Sequence, residues 1–393
     1  MSQIQAEIQA QIPAAQTDVL IVGAGPTGLA LATALSAQGV KTLIIDAQAE
    51  GANTSRAAVV HARTLELLEP LGVSDRLVAL GLHAKRFTVR DRDRILVPIE
   101  FDRLPTVYPY TLMVSQAVTE SVLLERASEL GATVRRPCSL QSFSQDDISV
   151  HATLSDGSQV QARFMVGADG MHSVVRQQAG IAFEGGTYGE SFVLADVRLG
   201  ANGAVPENEV ILFFSPKGMV VVAPLPGGIH RIVATVDDAP EQPDAAYVQA
   251  LLDTRGPKAT RAVVRAVLWG SRFRVHHRIA AAYRQGRVLL AGDAAHVHSP
   301  AGGQGMNIGI QDAVALGEAL VSALAGDDGA LDAYEARRRP IAQQVLTLAD
   351  RLTRMATAPR ALRGLRNVLL SLVARIPNVR RKLAWQLSGL AYR

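Results

Sequence analysis

Gly286-Arg287-Val288-Leu289-Leu290-Ala291-Gly292-Asp293 places a carboxylate at the end of an apolar run. The chain then passes through Ala294-Ala295-His296 and the loop Ser299-Pro300-Ala301-Gly302-Gly303-Gln304-Gly305-Met306-Asn307 into a helical pattern. At a strand end, Asp293 is positioned to bind a polyol such as a ribityl chain. The loop from Pro300 to Gly305 presents amide N–H groups and a helix start, with Gly302 and Gly303 as the expected donors. Such donors stabilise the negative charge that reduction puts near N1 and O2 of a flavin ring.

Far upstream, Gly23-Ala24-Gly25-Pro26-Thr27-Gly28 follows the apolar run Asp18 to Val22 and precedes helical spacing from Leu29 to Ala37. Gly23 permits a tight turn, Gly25 lets backbone approach a pyrophosphate, and Gly28 lets helix pack on strand. The helix start then offers unpaired N–H groups and a partial positive charge to phosphates. Asp46 closes a second strand, Thr42 to Ile45, eighteen positions beyond Gly28. A carboxylate there binds ribose hydroxyls and repels a 2′-phosphate, so the tightly held dinucleotide is expected to be FAD or NAD rather than NADP.

Gly167-Ala168-Asp169-Gly170, with Ser173 and Arg176, is another strand-end motif; by itself it reads as a turn in which Asp169 and Ser173 cap the next helix. His296 and His298 stand near Asp293, but no second cluster supplies further ligands, so no metal is expected. His276 and His277 read as strand-end packing residues.

These motifs need a doubly wound sheet to carry them. Helices are predicted at about Thr64 to Leu71 and Gln116 to Leu130, and hairpins over Phe87 to Phe101 and around Ser155-Asp156-Gly157. From Phe192 to about Phe273 the pattern is of β strands, and after Gly305 it is helical. The fold class is therefore α/β. A discontinuous FAD-binding domain is expected over 17–84, 112–190 and 276–340, a β-sheet substrate domain over 85–111 and 191–275, and a helical segment over 341–393.

At 393 residues the chain has room for two or three domains. With 48% hydrophobic and 19% charged residues the composition is that of a globular protein. No apolar window is long enough to span a bilayer, and Met1 to Gln16 lacks a leader pattern, so a cytoplasmic protein is expected. The single cysteine, Cys138, excludes an intrachain disulfide and reads as a buried thiol. Residues 351–393 hold ten Arg or Lys and no Asp or Glu, against a net charge of +4 for the whole chain, so the remainder is net acidic. That segment reads as a closing helical layer whose arginines pair with the acidic body; peripheral contact with anionic lipid is the alternative.

Taken in order and spacing, Gly23 to Gly28, Gly167 to Gly170 and Gly292-Asp293 resemble the three fingerprints of the single-component (group A) FAD-dependent aromatic hydroxylases, the para-hydroxybenzoate, phenol and polyketide hydroxylase family. The resemblance spans roughly residues 17 to 350. It implies tightly but non-covalently bound FAD, NAD(P)H as transient donor, O₂ as co-substrate, and hydroxylation of a small aromatic substrate through a flavin C4a-hydroperoxide. It also implies that Arg56 lies near the FAD phosphates, Gln116 on the FAD linker, Asp169 in the dinucleotide groove and Asp293 at the ribityl chain. Pro300, Gly302, Gly303, Met306 and Asn307 would face the isoalloxazine, the first three nearest the chemistry. At this length no thioredoxin-like C-terminal domain of the larger relatives is expected, and no residue is identifiable as the charged substrate anchor of the benzoate enzymes, so a carboxylated substrate is not expected.

Phe213, Met219, Val221 and Ala223 are the expected pocket wall, with strand parity left open. The rival activities are quinone-ring hydroxylation, epoxidation or polyprenyl reduction near a membrane, and, in a different class, a non-catalytic flavin redox sensor. A halogenase is disfavoured because Trp269 and Trp385 stand alone. A monomer or homodimer is expected, with no nucleic acid and no stable membrane insertion.

Overall fold

A continuous apolar run such as Asp18 to Val22 needs both faces covered, and it becomes the middle of a parallel sheet. The computed structural model describes residues 15–51, 57–200, 203–215, 217–236, 240–300, 302–356 and 358–393. It opens with β1 (Ala15–Val22), α1 (Pro26–Ser36) and β2 (Thr42–Ile45). Pro26 occupies the first turn of α1, where its missing N–H costs no hydrogen bond.

A hairpin of β3 (Arg86–Asp91) and β4 (Arg94–Glu100) leaves this unit, and the chain returns through α2 (Gln116–Glu129), which Ser115 caps by accepting from Val118 N. β5 (Gln159–Gly167) rejoins the first sheet. The second sheet follows as β6 (Phe183–Leu199), β7 (Glu209–Ser215), β8 (Gly218–Leu225) and β9 (Ile229–Val236), then α3 (Ala245–Arg255) and β10 (Val264–Ala280). β11 (Val288–Leu290) brings the chain back to the first sheet. The helices α4 (Gly305–Leu324), α5 (Gly329–Ala356), α6 (Arg363–Val373) and α7 (Pro377–Leu387) close the molecule.

The first sheet is parallel along β11, β5, β1, β2 and Thr133–Arg135, with antiparallel additions at its margin. The second runs His296–Val297, β10, β6, β9, β8, β7, β3, β4. Val59–Val60, Thr111–Met113 and Leu82–Ala84 form a three-stranded antiparallel sheet in that order.

Two features differ from the sequence expectation. α3 stands in a stretch read only as strands; Asp244 caps it, and Val248, Leu251, Leu252 and Arg255 give it a helical stripe of buried positions. β6 and β10, at 17 residues each, run through the expected boundaries at 190 and 275, because their mutual pairing extends from Phe183–Ala280 to Leu199–Val264.

One buried carboxylate ties the helical layer to the sheet. Asp312 on α4 accepts from His296 Nε2 at 2.6 Å, from Gly292 N at 3.3 Å and from Arg338 Nε of α5 at 2.6 Å. Burial opposes its charge, but Arg338 and His296 hold the carboxyl below its ordinary range. Asp312→Ala strands a buried guanidinium and is expected to cost about 3–5 kcal/mol in urea unfolding. Glu241→Ala, at an exposed pair with Arg272, is expected to stay within about 0.5 kcal/mol.

Candidate active site

Val22 lies beside Gly167, and Gly167 beside Leu290, so the chain leaves β1, β5 and β11 at one level. Strand order reverses at β1, and the crevice beyond the carboxyl ends of such a switch point is where ligands bind in open α/β sheets. Gly23, Ala168-Asp169 and Ala291-Gly292-Asp293 therefore share one rim.

A Cβ on Gly23, which has φ +106°, would collide with Ala168 O, and one on Gly28 would collide with the Gly23 carbonyl. One on Gly25 meets nothing within 4 Å. The protein's own packing thus requires the outer two glycines, whereas the space over Gly25 and the start of α1 is open to a ligand's phosphates. Thr27 fills the gap left by Gly292 and Gly309, whose added Cβ atoms would both overlap its hydroxyl, and so locks the first motif to the third.

Asp46 accepts from Ala24 N at 2.7 Å and Gln48 N at 2.8 Å. Arg136 donates to Ala24 O at 2.6 Å and stands 3.9 Å from the Asp46 carboxylate. Each Asp46 oxygen retains acceptor capacity for a hydroxyl. Asp169 does cap, through Oδ2, which accepts from Val174 N at 2.7 Å and Val175 N at 3.2 Å. Its Oδ1 is buried with no hydrogen-bond partner among the described residues, and burial pushes the carboxyl up. An acceptor in that state suits a ligand hydroxyl. These features together fit FAD.

The Pro300 loop is a tight turn: Gly303 N donates to Pro300 O at 2.9 Å, and Gly302 and Gly303 hold φ of +87° and +64°. This corrects the expected donor set, since the Gly303 N–H is spent within the loop. The Asn307 side chain is likewise committed within the protein. It accepts from His61 N at 2.8 Å and donates to Val59 O and Gly303 O at 2.9 Å, so it pins loop to strand. What remains for a flavin ring is the Gly302 N–H and the first turn of α4, at Gly305, Met306 and Asn307. Met306 is half-buried, Pro300 is exposed, and Asp293 is exposed in the 3₁₀ turn Gly292–Ala294.

His61 donates from Nε2 to Gly302 O at 3.0 Å, and burial brings its pKa down to about 4. Gln304 Nε2 donates to Leu387 O of α7 at 3.0 Å, and Thr353 of α5 donates to Ser299 Oγ at 2.8 Å. The C-terminal helices thus clamp the loop. Gln116 accepts from Ala57 N at 3.2 Å and donates to Glu120 Oε1 at 2.8 Å. Arg56 lies outside the described residues.

Pairing of Leu212 with Val221 and of Phe214 with Met219 puts these residues on one face of the second sheet, together with Ala223. Phe213 is corrected: it shares the other face with Ile211, Val220 and Val222, all 0% exposed, and packs with Val248 and Leu252 of α3. On the first face Leu212, Val221 and Val233 remain half-buried at mid-sheet. Val221, Ala223 and Val59 belong to one apolar cluster, and a Cβ on Gly303 would touch Val59 at 3.3 Å, so the cluster on this face reaches the Pro300 loop. Sequence reasoning missed Arg231 and Asp196 on this face. Arg231 donates to both carboxylate oxygens of Asp196 at 2.7 Å and to Ala57 O at 2.9 Å. An arginine inside an otherwise apolar strand was the available signal.

A doubly wound sheet with three motifs on one rim, beside a second sheet that is antiparallel except where β7 meets β3, defines a flavin-dependent oxidoreductase. Residues 16–349 match the family described as FAD binding domain. The chain is 35% identical to rifampicin monooxygenase of Streptomyces venezuelae, over 96% of this chain and 79% of that protein. It is 37% identical to the 12-dehydrotetracycline 5-monooxygenase/anhydrotetracycline 6-monooxygenase of Streptomyces rimosus, over 96% and 77%. Its fold is similar to that of p-nitrophenol 4-monooxygenase from Pseudomonas putida, with a TM-score of 0.85, 25% identity, and 96% and 98% of the two chains covered. The chain belongs to the FAD-dependent aromatic hydroxylase family, with its para-hydroxybenzoate hydroxylase-like fold. It is accordingly an FAD-dependent monooxygenase, with NAD(P)H and O₂ as co-substrates.

Two measurements test this geometry. Gly25→Ala is expected to leave apoprotein stability within about 0.5 kcal/mol while weakening FAD retention at least ~10-fold on dilution, a loss of about 1.4 kcal/mol; Gly28→Ala is expected to destabilise the apoprotein itself. His61 titrates near 4 when folded and near 6.5 as its ordinary value, so the unfolded chain takes up this proton first as pH falls. Its contribution is complete above pH 6.5 and is lost towards pH 4, about 3 kcal/mol in all. His61→Gln is expected to flatten that part of the stability profile; an unchanged slope counts against a buried neutral ring.

Proposed function

We propose that this monooxygenase hydroxylates a lipophilic phenolic or polyketide-like ring held between the β8–β9 face and the Pro300 loop. The observation that carries this reading is the row of half-buried apolar side chains, Leu212, Val221 and Val233, on the sheet face turned towards the loop. The guanidinium identified on that face, Arg231, is engaged by Asp196 and Ala57 O, which disfavours a carboxylated substrate anchored there. Relatives named for rifampicin, tetracycline-type and pentachlorophenol substrates support the aromatic class.

When bound, FAD supplies hydride acceptance from NAD(P)H and activation of O₂ for insertion of one oxygen atom. In this reading Gly23 to Gly28 and the start of α1 hold the pyrophosphate, Asp46 and Asp169 the ribose region, and Asp293 the ribityl chain. Arg56 and Gln116 serve the phosphate and linker side. The Gly302 N–H and the first turn of α4 stabilise charge on the pyrimidine edge of the ring. Met219, Val221 and Ala223 wall the cavity and exclude water. The domain division proposed is 17–84, 112–190 and 276–340 for FAD, 85–111 and 191–275 for substrate, with β6 and β10 running continuously from one into the other across 190 and 275, and 341–393 as the closing helical segment. We place the enzyme in the cytoplasm as a monomer or homodimer; among the described residues no helix is long and apolar enough to cross a membrane. Any membrane contact is peripheral and made through 341–393.

Stopped-flow reduction of the FAD-loaded protein by NADH and NADPH, with neutral phenols, fused-ring phenols, quinones and hydroxybenzoates, followed by product mass, tests the reading. Neutral phenolic ligands are expected to speed reduction at least ~10-fold, about 1.4 kcal/mol at the barrier, and to gain one oxygen. Reduction without oxygen insertion across the panel would overturn it.

A further inference from the structure

Helices on a globular surface turn their apolar stripe inward, and α6 does the reverse. Arg363 donates to Ala358 O at 2.7 Å and Ser215 O at 3.3 Å, and Asn367 donates to Asp91 Oδ2 at 2.8 Å. The Arg366 guanidinium lies 4.4 Å from the centre of the Phe214 ring and donates to Met355 O at 2.8 Å. The face fastened to the body is therefore mostly polar, with Leu370 packed against the core beside these contacts.

The opposite face carries Leu365, Leu369 and Leu372 at helical spacing, 69, 58 and 52% exposed, with Val368 beside them at 52% and Leu362 and Ile376 just beyond the two ends of the helix at 53 and 51%. No residue of α6 is buried. A contiguous apolar stripe of this kind marks an interaction surface. The chain around it is cationic: residues 351–393 hold ten Arg or Lys and no acidic residue, and Arg375, Arg381 and Lys382, which follow the stripe in the sequence, are exposed.

We propose that α6 lies flat on an anionic lipid bilayer, its leucines among the acyl chains and the neighbouring basic residues at the headgroups. Charge decides the occupant. A second copy docking by the same face would bring two cationic segments together, and a polyanion alone would leave the leucines in water. The inner side of α6 rests on Phe214, which shares its sheet face with Leu212 and Met219. One helix diameter, about 10 Å, therefore separates the bilayer from the wall of the proposed cavity, and a membrane-dissolved aromatic substrate enters beside it. The docking stands without the hydroxylase reading; the entry of substrate rests on it.

The test uses the FAD-loaded full chain with vesicles of phosphatidylcholine alone and of equal parts phosphatidylcholine and phosphatidylglycerol. Co-sedimentation with the mixed vesicles is expected, at least ~10-fold weaker on phosphatidylcholine alone or at high salt. Leu365→Ser/Leu369→Ser/Leu372→Ser is expected to lose at least ~10-fold in partition while retaining its flavin spectrum and turnover of a water-soluble phenol. Turnover of a vesicle-loaded phenol should then fall. Arg381→Glu/Lys382→Glu, which leaves the stripe intact, should weaken binding to the mixed vesicles only.

No binding to mixed vesicles, or a triple-leucine variant that binds as well as the parent, overturns the proposal. So does a concentration-dependent dimer in sedimentation velocity that the leucine variant abolishes, which would assign the face to a second copy. Vesicle binding without oxygenated product from any phenol would instead remove the hydroxylase reading and leave the docking in place.

Discussion

Because Val22, Gly167 and Leu290 lie side by side in the parallel sheet, three well-separated stretches of chain must turn off their strands at the same height. The glycines follow from that crowding. Gly23 abuts Ala168, Gly28 abuts the Gly23 carbonyl, and Gly292 and Gly309 close on Thr27, so little room is left for any side chain other than the threonine. Backbone hydrogen bonds continue the alignment beyond the strands, from Ala168 N to Val22 O and from Ala291 N to Gly167 O. Asp169 and Asp293 are carried onto the rim by this arrangement of the backbone.

The Pro300 loop is held by a different means. Its two glycines adopt left-handed conformations that leave the segment without regular structure, and side chains from four directions fix it. His61 and Asn307 hold its carbonyls, Gln304 reaches α7, and Thr353 reaches Ser299. A layer deeper, Asp312 acts in the same way, with His296, Gly292 and Arg338 converging on it. Preorganisation of this kind means that donors facing the ring are already oriented before charge develops on it.

Much of this was legible in the chain because strand-end glycine motifs are local signals. β1, α1, β2, the two hairpins and the return at Val288 follow from short-range pattern alone. Parity was not local. Phe213 and Met219 are both apolar on neighbouring strands, and only the pairing of Phe213 with Val220 shows that Phe213 faces α3 while Met219 lies on the opposite face of the sheet. The commitments of Asn307 and Gly303 were hidden for a related reason, since their partners at Val59 and Pro300 depend on a turn whose shape the residue types do not specify. Arg231, Asp196 and the Asp312 cluster join positions tens of residues apart, and their only sequence trace is a charged residue inside an apolar pattern. The C-terminal arginines were expected to pair with acids; Arg393 does so with Glu66, whereas Arg363 and Arg366 donate to backbone carbonyls.

The clamp on the Pro300 loop also sets an order of events during synthesis. The phosphate cradle at Gly23 to Gly28 packs against Ala168, Gly292 and Gly309, so it is complete only when the chain has been made to Gly309, and the loop gains its supports only when Thr353 and Leu387 have followed. At about 5–20 residues per second the stretch from Gly309 to Leu387 takes roughly 4–16 s. A nascent chain therefore spends several seconds with one end of its cofactor groove complete and the other unclamped, and α5 and α7 decide when the cofactor is sealed in.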